Sequence, residues 1–259
     1  MNETFILKVY RGEQGKQFWE EFKLELRPSM NVISALMEIQ RNPVNRHNEK
    51  VTPVAYESGC LEEVCGSCSM LINGKPRQAC TALIKPILEA SGSQVLTLAP
   101  FTKFPLVRDL YVNRNDMFEN LKKVHAWIDA EDSFDRGFGP RIPPRVQKVT
   151  YVLSTCMSCG CCSESCPQVN SSSPFMGPAP ISQVRLFNFH PIGKMNAATR
   201  NHAIMGEDGI KGCGNAQNCV AVCPKEIPLT ESLAVMQREA GKQIVRDLFS
   251  LPDVDETST

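Results

Sequence analysis

The sequence predicts an α+β protein in two parts, a small mixed sheet crossed by one helix and then an all-α domain. Three observations carry this reading. Apolar residues alternate along the first stretch, then fall at helical steps beyond residue 109. At roughly 150 residues per domain, 259 residues leave room for two cores. The cysteines fall in three groups, one in the first part and two in the second.

Residues 4–10 alternate, with Phe5, Leu7 and Val9 on one face, and Phe22, Leu24 and Leu26 repeat the pattern after a polar turn, as two strands of a hairpin do. Pro28-Ser29 breaks the pattern and Asn31 is an N-cap candidate. Val32, Ile33, Leu36, Met37 and Ile39 then follow at helical spacing until Asn42-Pro43 stops them. Met70-Leu71-Ile72, Asn73-Gly74 and Lys75-Pro76-Arg77 form a second hairpin signal, and residues 95–98 a closing strand. Beyond residue 109, Met117, Leu121, Val124 and Ile128 mark a helix, with Asp116 and Glu119 in a capping-box spacing. Residues 137–144, rich in Gly and Pro, read as a loop. Residues 181–190 read as a short helix, and Leu233, Met236, Ala240, Ile244 and Leu248 mark a longer last one. The predicted division is 1–108, 109–250 and an acidic tail at 251–259.

Composition excludes several classes. Hydrophobic residues are 42% and charged ones 22%, the balance of a globular chain. Lys plus Arg is 28 and Asp plus Glu is 28, and this zero net charge argues against a nucleic-acid partner. No run approaches 18 apolar residues, so no membrane span is expected. The N-terminal residues carry an acid at position three and no long apolar stretch, unlike a secretory signal. Twelve cysteines in a reducing cytoplasm are expected to be metal ligands rather than disulfides.

Their spacing is specific. Cys60-x4-Cys65-x2-Cys68, with Cys80 beyond, is the plant-type 2Fe-2S pattern, whereas four-thiolate zinc, the alternative, favours two C-x2-C pairs. Cys156-x2-Cys159-x2-Cys162-x3-Cys166-Pro167 is the bacterial two-cluster ferredoxin run. Cys213-x2-Ala216-x2-Cys219-x3-Cys223-Pro224 repeats it with alanine in place of the second cysteine. In such paired runs the last cysteine of each serves the other cluster. Cys156, Cys159, Cys162 and Cys223 are then expected to hold a 4Fe-4S cluster, and Cys166, Cys213 and Cys219 a 3Fe-4S cluster. Completion of a second cubane by water or another side chain is the alternative. Cys161 is left over, as a small buried apolar residue. The fold class that follows is a β-grasp plant-type 2Fe-2S ferredoxin domain followed by an all-α bacterial-ferredoxin-like domain.

No G-x-G-x-x-G and no C-x-x-C-H motif is present, so no flavin, nicotinamide or haem site is visible. The scattered His47, His125, His190 and His202 suggest no catalytic constellation. The expectation is an electron relay whose only metal is cluster iron, with no catalytic residue of its own. A zinc-stapled structural protein and a freely diffusing multi-cluster ferredoxin are the rivals.

This layout closely resembles the iron–sulfur subunit of succinate dehydrogenase and fumarate reductase. The resemblance spans nearly the whole chain. It is carried by Cys60-Leu61-Glu62-Glu63-Val64-Cys65-Gly66-Ser67-Cys68, Asn73-Gly74-Lys75-Pro76-Arg77-Gln78-Ala79-Cys80, Phe104-Pro105-Leu106-Val107-Arg108-Asp109-Leu110, Gly177-Pro178-Ala179-Pro180 and Cys223-Pro224-Lys225. It implies a flavoprotein partner carrying FAD that oxidises succinate, and a cytochrome b membrane anchor that holds quinone. It also implies a peripheral position on the cytoplasmic face of the cell membrane and a place in the citric acid cycle and respiratory chain. Within the family the 2Fe-2S centre lies nearest the flavin and the 3Fe-4S centre nearest the quinone. Ubiquinone-using relatives carry a Trp pair after the first Cys-Pro and a His after the first cysteine of the second run. Here Gln168-Val169-Asn170 follows Pro167 and Gly214 follows Cys213. That departure resembles the menaquinone-linked branch with a dihaem anchor. The reverse reaction, as in a quinol:fumarate reductase, is the alternative function.

Overall fold

The structure is a computed structural model and describes residues 3–129 and 141–249. The acidic tail and the first half of the 137–144 loop lie outside the described residues. The chain divides into two compact units, residues 1–114 with 157–164, and residues 115–156 with 165–259.

The first unit is built on a five-stranded mixed sheet in the order β2-β1-β5-β3-β4. Strands β1 (Thr4–Glu13) and β2 (Lys16–Glu25) pair antiparallel, with Leu7 opposite Phe22 and Phe5 opposite Leu24. The alternation read from the sequence therefore sets which face is buried: Phe5, Leu7, Val9 and Phe22 are all essentially inaccessible. Leu26, counted with that face, falls one residue past the end of β2. Strand β3 (Ser69–Ile72) pairs antiparallel with β4 (Lys75–Gln78) and with β5 (Val95–Ala99), and β5 runs parallel to β1.

Helix α1 (Val32–Arg41) packs Val32, Ile33, Leu36 and Ile39 into the core formed by the sheet. Its N-terminus is a capping box: Ser34 N–H donates to Asn31 Oδ1 at 2.8 Å, and Asn31 N–H donates to Ser34 Oγ at 2.9 Å. Asn31 Nδ2 also donates to the Cys80 carbonyl at 2.9 Å, so the helix cap fixes one candidate ligand. A second helix, α2 (Ile84–Ser91), was not expected. Its Pro86 sits in the first turn, where the missing N–H has no helical partner to lose, and Gly92 ends it in the left-handed region. Strands β6 (Leu106–Arg108) and β7 (Tyr111–Val112) form a small separate hairpin around Asp109.

Asp109 closes the unit. It is almost fully buried and receives N–H bonds from Gly12 and Ala55, both at 2.8 Å, and from Arg11 Nε at 3.4 Å and Nη2 at 3.2 Å. Arg11, equally buried, also donates to Glu20 at 2.5 Å, to Thr52 Oγ1 at 3.2 Å and to the Pro53 carbonyl at 3.1 Å. The network ties β1 to residues 52–55, the stretch that leads into the first cysteine loop.

The segment 157–164 packs within this unit. Gly160 has φ +84° and its Cα faces Phe104, where an added Cβ would sit 3.0 Å from the ring. The Glu164 carboxylate accepts from Thr102 N–H at 2.9 Å, Thr102 Oγ1 at 2.7 Å and Lys103 N–H at 3.1 Å.

The second unit is helical in its described residues: α3 (Asn115–Lys123), α4 (Pro144–Ser154), most of the packing of α6 (Pro178–Phe189), α7 (Ala197–Ile204), α8 (Asn218–Ala221) and α9 (Leu229–Leu248) belong to it. The short α5 (Cys161–Ser165) ends where the chain passes back from 164 to 165. Val124, Ile181, Val184, Ile204, Leu233 and Met236 form the core. Helix α3 stops before Ile128, which the spacing had included. His125 takes φ +50° and the guanidinium of buried Arg200 collects the carbonyls of His125 (2.8 Å), Gly193 (2.6 Å) and Trp127 (2.6 Å). Helix α4 begins with a proline at its first position, so the end of the stretch read as a loop is a helix start.

Candidate iron–sulfur sites

The first cysteine set lies wholly in the first unit. Cys60 and Cys65 belong to the loop between α1 and β3, Cys68 directly precedes β3, and Cys80 follows β4 by two residues. Leu61 (φ +62°), Glu63 (φ +57°) and Gly66 (φ +71°) adopt left-handed conformations that roll successive N–H groups inward. Cys60 Sγ accepts from the N–H groups of Glu62, Val64 and Cys65, each at 3.3 Å, and Cys65 Sγ accepts from Cys60 N–H at 3.4 Å. Gly66 is required there: an added Cβ would lie 2.6 Å from the Met157 carbonyl oxygen and 2.9 Å from Cys159 Cα.

The four sulfurs differ in setting. Cys65 is exposed, and donors from Cys60 and Ser67 bring its thiol down to about 6. Cys68 is 3% exposed, and burial pushes its thiol up to about 12. A metal bound there would displace the proton, so the raised value would oppose loading only until metal is present. A loop rich in N–H groups aimed at sulfur suits an anionic cluster held by thiolates.

The remaining sets are divided between the units. Cys159 and Cys162 lie on the 157–164 segment of the first unit, and Cys156 and Cys223 lie in the second. Cys159 is lowered to about 7, chiefly by a hydrogen bond from the Cys161 side chain, and that same contact together with burial raises Cys161. Cys161 is fully buried, but its sulfur has polar contacts as well, the bond to Cys159 and an approach by Gln78 Nε2 at 3.6 Å.

Cys166, Cys213 and Cys219 line one cavity of the second unit, about 330 Å³ including its open mouth, and Ala216 lines it with them. Burial raises the Cys219 thiol, and the neighbouring Cys166 and Cys213 sulfurs add to the effect. The turn through Asn215 (φ +53°) and Gln217 (φ +62°) leads into α8, which carries Cys219. The two runs repeat structurally as well as in sequence, because α5 and α8 each begin one residue before the third position of their run. Gly214 faces Gln168, whose Nε2 would be 2.6 Å from an added Cβ. Sequence spacing did not single out Gln168 or the buried Gln78, because polar residues outside the cysteine pattern carry no periodic signal. None of the four histidines lines this cavity.

These features define the class: an iron–sulfur electron-transfer protein with two ferredoxin-type domains in series. Residues 6–119 match the family described as 2Fe-2S iron-sulfur cluster binding domain, and residues 152–227 the family described as 4Fe-4S dicluster domain. The chain is 56% identical to the succinate dehydrogenase iron-sulfur subunit of Bacillus subtilis over 95% of each chain. It is 31% identical to the fumarate reductase iron-sulfur subunit of Wolinella succinogenes, over 92% of this chain and 98% of that one. A chain of the Mycobacterium smegmatis Sdh1 complex in the apo form shares the fold at a TM-score of 0.78 and 21% identity, covering 94% of this chain and 98% of its own. The chain belongs to the family of iron–sulfur subunits of succinate dehydrogenase and fumarate reductase. Among the described residues no helix is long and apolar enough to cross a membrane.

Proposed function

We propose that the chain is the electron-transfer subunit of a succinate:menaquinone oxidoreductase. It takes electrons from a flavoprotein carrying FAD and delivers them to a dihaem cytochrome b anchor on the cytoplasmic face of the cell membrane, which passes them to menaquinone. The observation that carries this reading is the 56% identity, over 95% of both chains, to a succinate dehydrogenase iron-sulfur subunit. The quinone assignment is supported by the segment after Pro167, which holds no Trp pair through Ser173, and by Gly214, which follows Cys213 where ubiquinone-using relatives carry a His. Fumarate reduction is the second reading, favoured by the relative at 31% identity.

Bound clusters supply one-electron carriers in series, and this chain's own residues hold and tune them. In the 2Fe-2S domain, residues 1–108, Cys60, Cys65, Cys68 and Cys80 would hold the first cluster. In the helical domain, residues 109–250, Cys156, Cys159, Cys162 and Cys223 would hold a 4Fe-4S cluster, Cys159 and Cys162 through the 157–164 segment. Cys166, Cys213 and Cys219 would hold a 3Fe-4S cluster in the cavity that Ala216 also lines. Cys161 is outside all three sets, so Cys161→Ser is expected to retain every cluster. Loss of any EPR signal in that variant would return Cys161 to the ligand list.

The test is low-temperature EPR on the anaerobically isolated complex, with iron and zinc assayed on the same sample and turnover measured in both directions. A 3Fe-4S signal in the oxidised state, followed on reduction by 2Fe-2S and 4Fe-4S signals, is the expected result. A silent sample rich in zinc would overturn it, and faster fumarate reduction than succinate oxidation would select the second reading.

A further inference from the structure

The side chain of Gln78 is 2% exposed and joins two cysteine sets inside the first unit. Its Oε1 lies 3.5 Å from Cys68 Sγ, and its Nε2 donates to Ser69 Oγ at 2.7 Å and approaches Cys161 Sγ at 3.6 Å. Ser69 Oγ in turn donates to the Gly66 carbonyl at 2.8 Å. In this arrangement the Cys68 thiol donates to the amide oxygen, which requires that Cys68 keep its proton.

A ligand thiolate reverses the requirement, because it has no proton to donate and would face the amide oxygen as a second negative pole. A half turn of the Gln78 amide about its last torsion removes the conflict. Nε2–H then points at Cys68 Sγ, and Oε1 faces Ser69 Oγ, whose hydroxyl has a hydrogen to give, while the Cys161 thiol keeps its bond to Cys159. The hydroxyl can leave the Gly66 carbonyl at little cost, since Arg114 Nη1 already donates to that oxygen at 2.6 Å. Every buried polar atom of the network keeps a partner in both arrangements, as low-dielectric surroundings demand.

We propose that Gln78 is a positioning residue for the 2Fe-2S centre, its amide turning to donate an N–H bond to the Cys68 thiolate once iron has displaced the proton. The inference rests on the reading that Cys68 is a cluster ligand. An N–H···S bond to a ligand sulfur favours the state carrying the extra electron, so it raises the reduction potential. The amide thereby sets how readily the first carrier accepts an electron.

The experiment is an EPR-monitored redox titration of the intact complex carrying Gln78→Met, which keeps an unbranched side chain and removes the donor. The expected result is a fall in the 2Fe-2S midpoint potential at full cluster content, while the 3Fe-4S potential, whose thiolates Gln78 does not touch, stays in place. An unshifted 2Fe-2S potential would overturn the proposal. If Gln78→Met does not accumulate, Gln78→Leu removes the amide donors without adding charge, and the same comparison decides. The underlying ligand reading is tested separately by Cys68→Ser: an unchanged 2Fe-2S spectrum in that variant refutes the ligand assignment, whatever Gln78→Met shows.

Discussion

Ala216→Cys is expected to abolish the oxidised-state 3Fe-4S EPR signal and replace it with a 4Fe-4S centre of lower potential. Position 216 stands in the second run where Cys159 stands in the first, two residues ahead of the short helix that carries the third cysteine. It lines the same cavity as Cys166, Cys213 and Cys219, so its methyl group already occupies the wall where a fourth thiolate would act. The substitution adds one sulfur and no new branch, and an open cavity accepts that volume without the overpacking seen in a filled core. A fourth thiolate adds negative charge next to the iron, which lowers the reduction potential. An EPR spectrum identical to the parent in the oxidised state would show that residue 216 does not face the cluster.

The second large effect is expected at Asp109. Asp109→Ala leaves the Arg11 guanidinium buried and orphans the N–H groups of Gly12 and Ala55. Glu20 still pairs with the guanidinium, so the cost is that of buried donors left without an acceptor, about 1–3 kcal/mol for each. Asp109→Asn is expected to recover only part of this. Its amide can accept from one of the two N–H groups, and its own donor then faces the other. Denaturant unfolding followed by loss of the 2Fe-2S absorption checks the ranking, with the parent most stable, Asn intermediate and Ala least. Equal midpoints for all three would show that the network carries no net stability.

Much of the fold was legible because single faces are buried. The alternation of Phe5, Leu7 and Val9 and the helical steps of Val32, Ile33, Leu36 and Ile39 survive in the structure as one core. Asn31 was readable as a cap from its place ahead of that helix. Elements that the sequence hid are those that break their own signal. Helix α2 carries Pro86, α4 opens on Pro143-Pro144, and the β6–β7 hairpin has only five strand residues to alternate. Helix α3 ends early for a reason that no local pattern contains, since Arg200 lies 75 residues away from the carbonyl it binds at His125.

The candidate sites were legible through cysteine spacing alone, and this is also where spacing stops informing. It pointed to Ala216 as the odd position of the second run, which the cavity lining matches. It could not show that Gln78 lies beside Cys68, or that Gly214 leaves space filled by Gln168. Those depend on which side chains meet across the fold, and each involves a polar residue with no period of its own.

The unequal setting of the first four thiols has a consequence for repair. Cys68 and Cys80 are anchored at the ends of β3 and β4, inside the core, whereas Cys60 and Cys65 ride on a loop whose Leu61 and Val64 are half or more exposed. Local opening of such a loop costs far less than unfolding the sheet. If these four cysteines hold the cluster, iron held by the two core thiolates would stay tethered while the loop is away, and the returning sulfurs would meet it at a high effective concentration. Excursions of the loop would then be self-healing, and permanent loss of the cluster would require that the sheet itself give way.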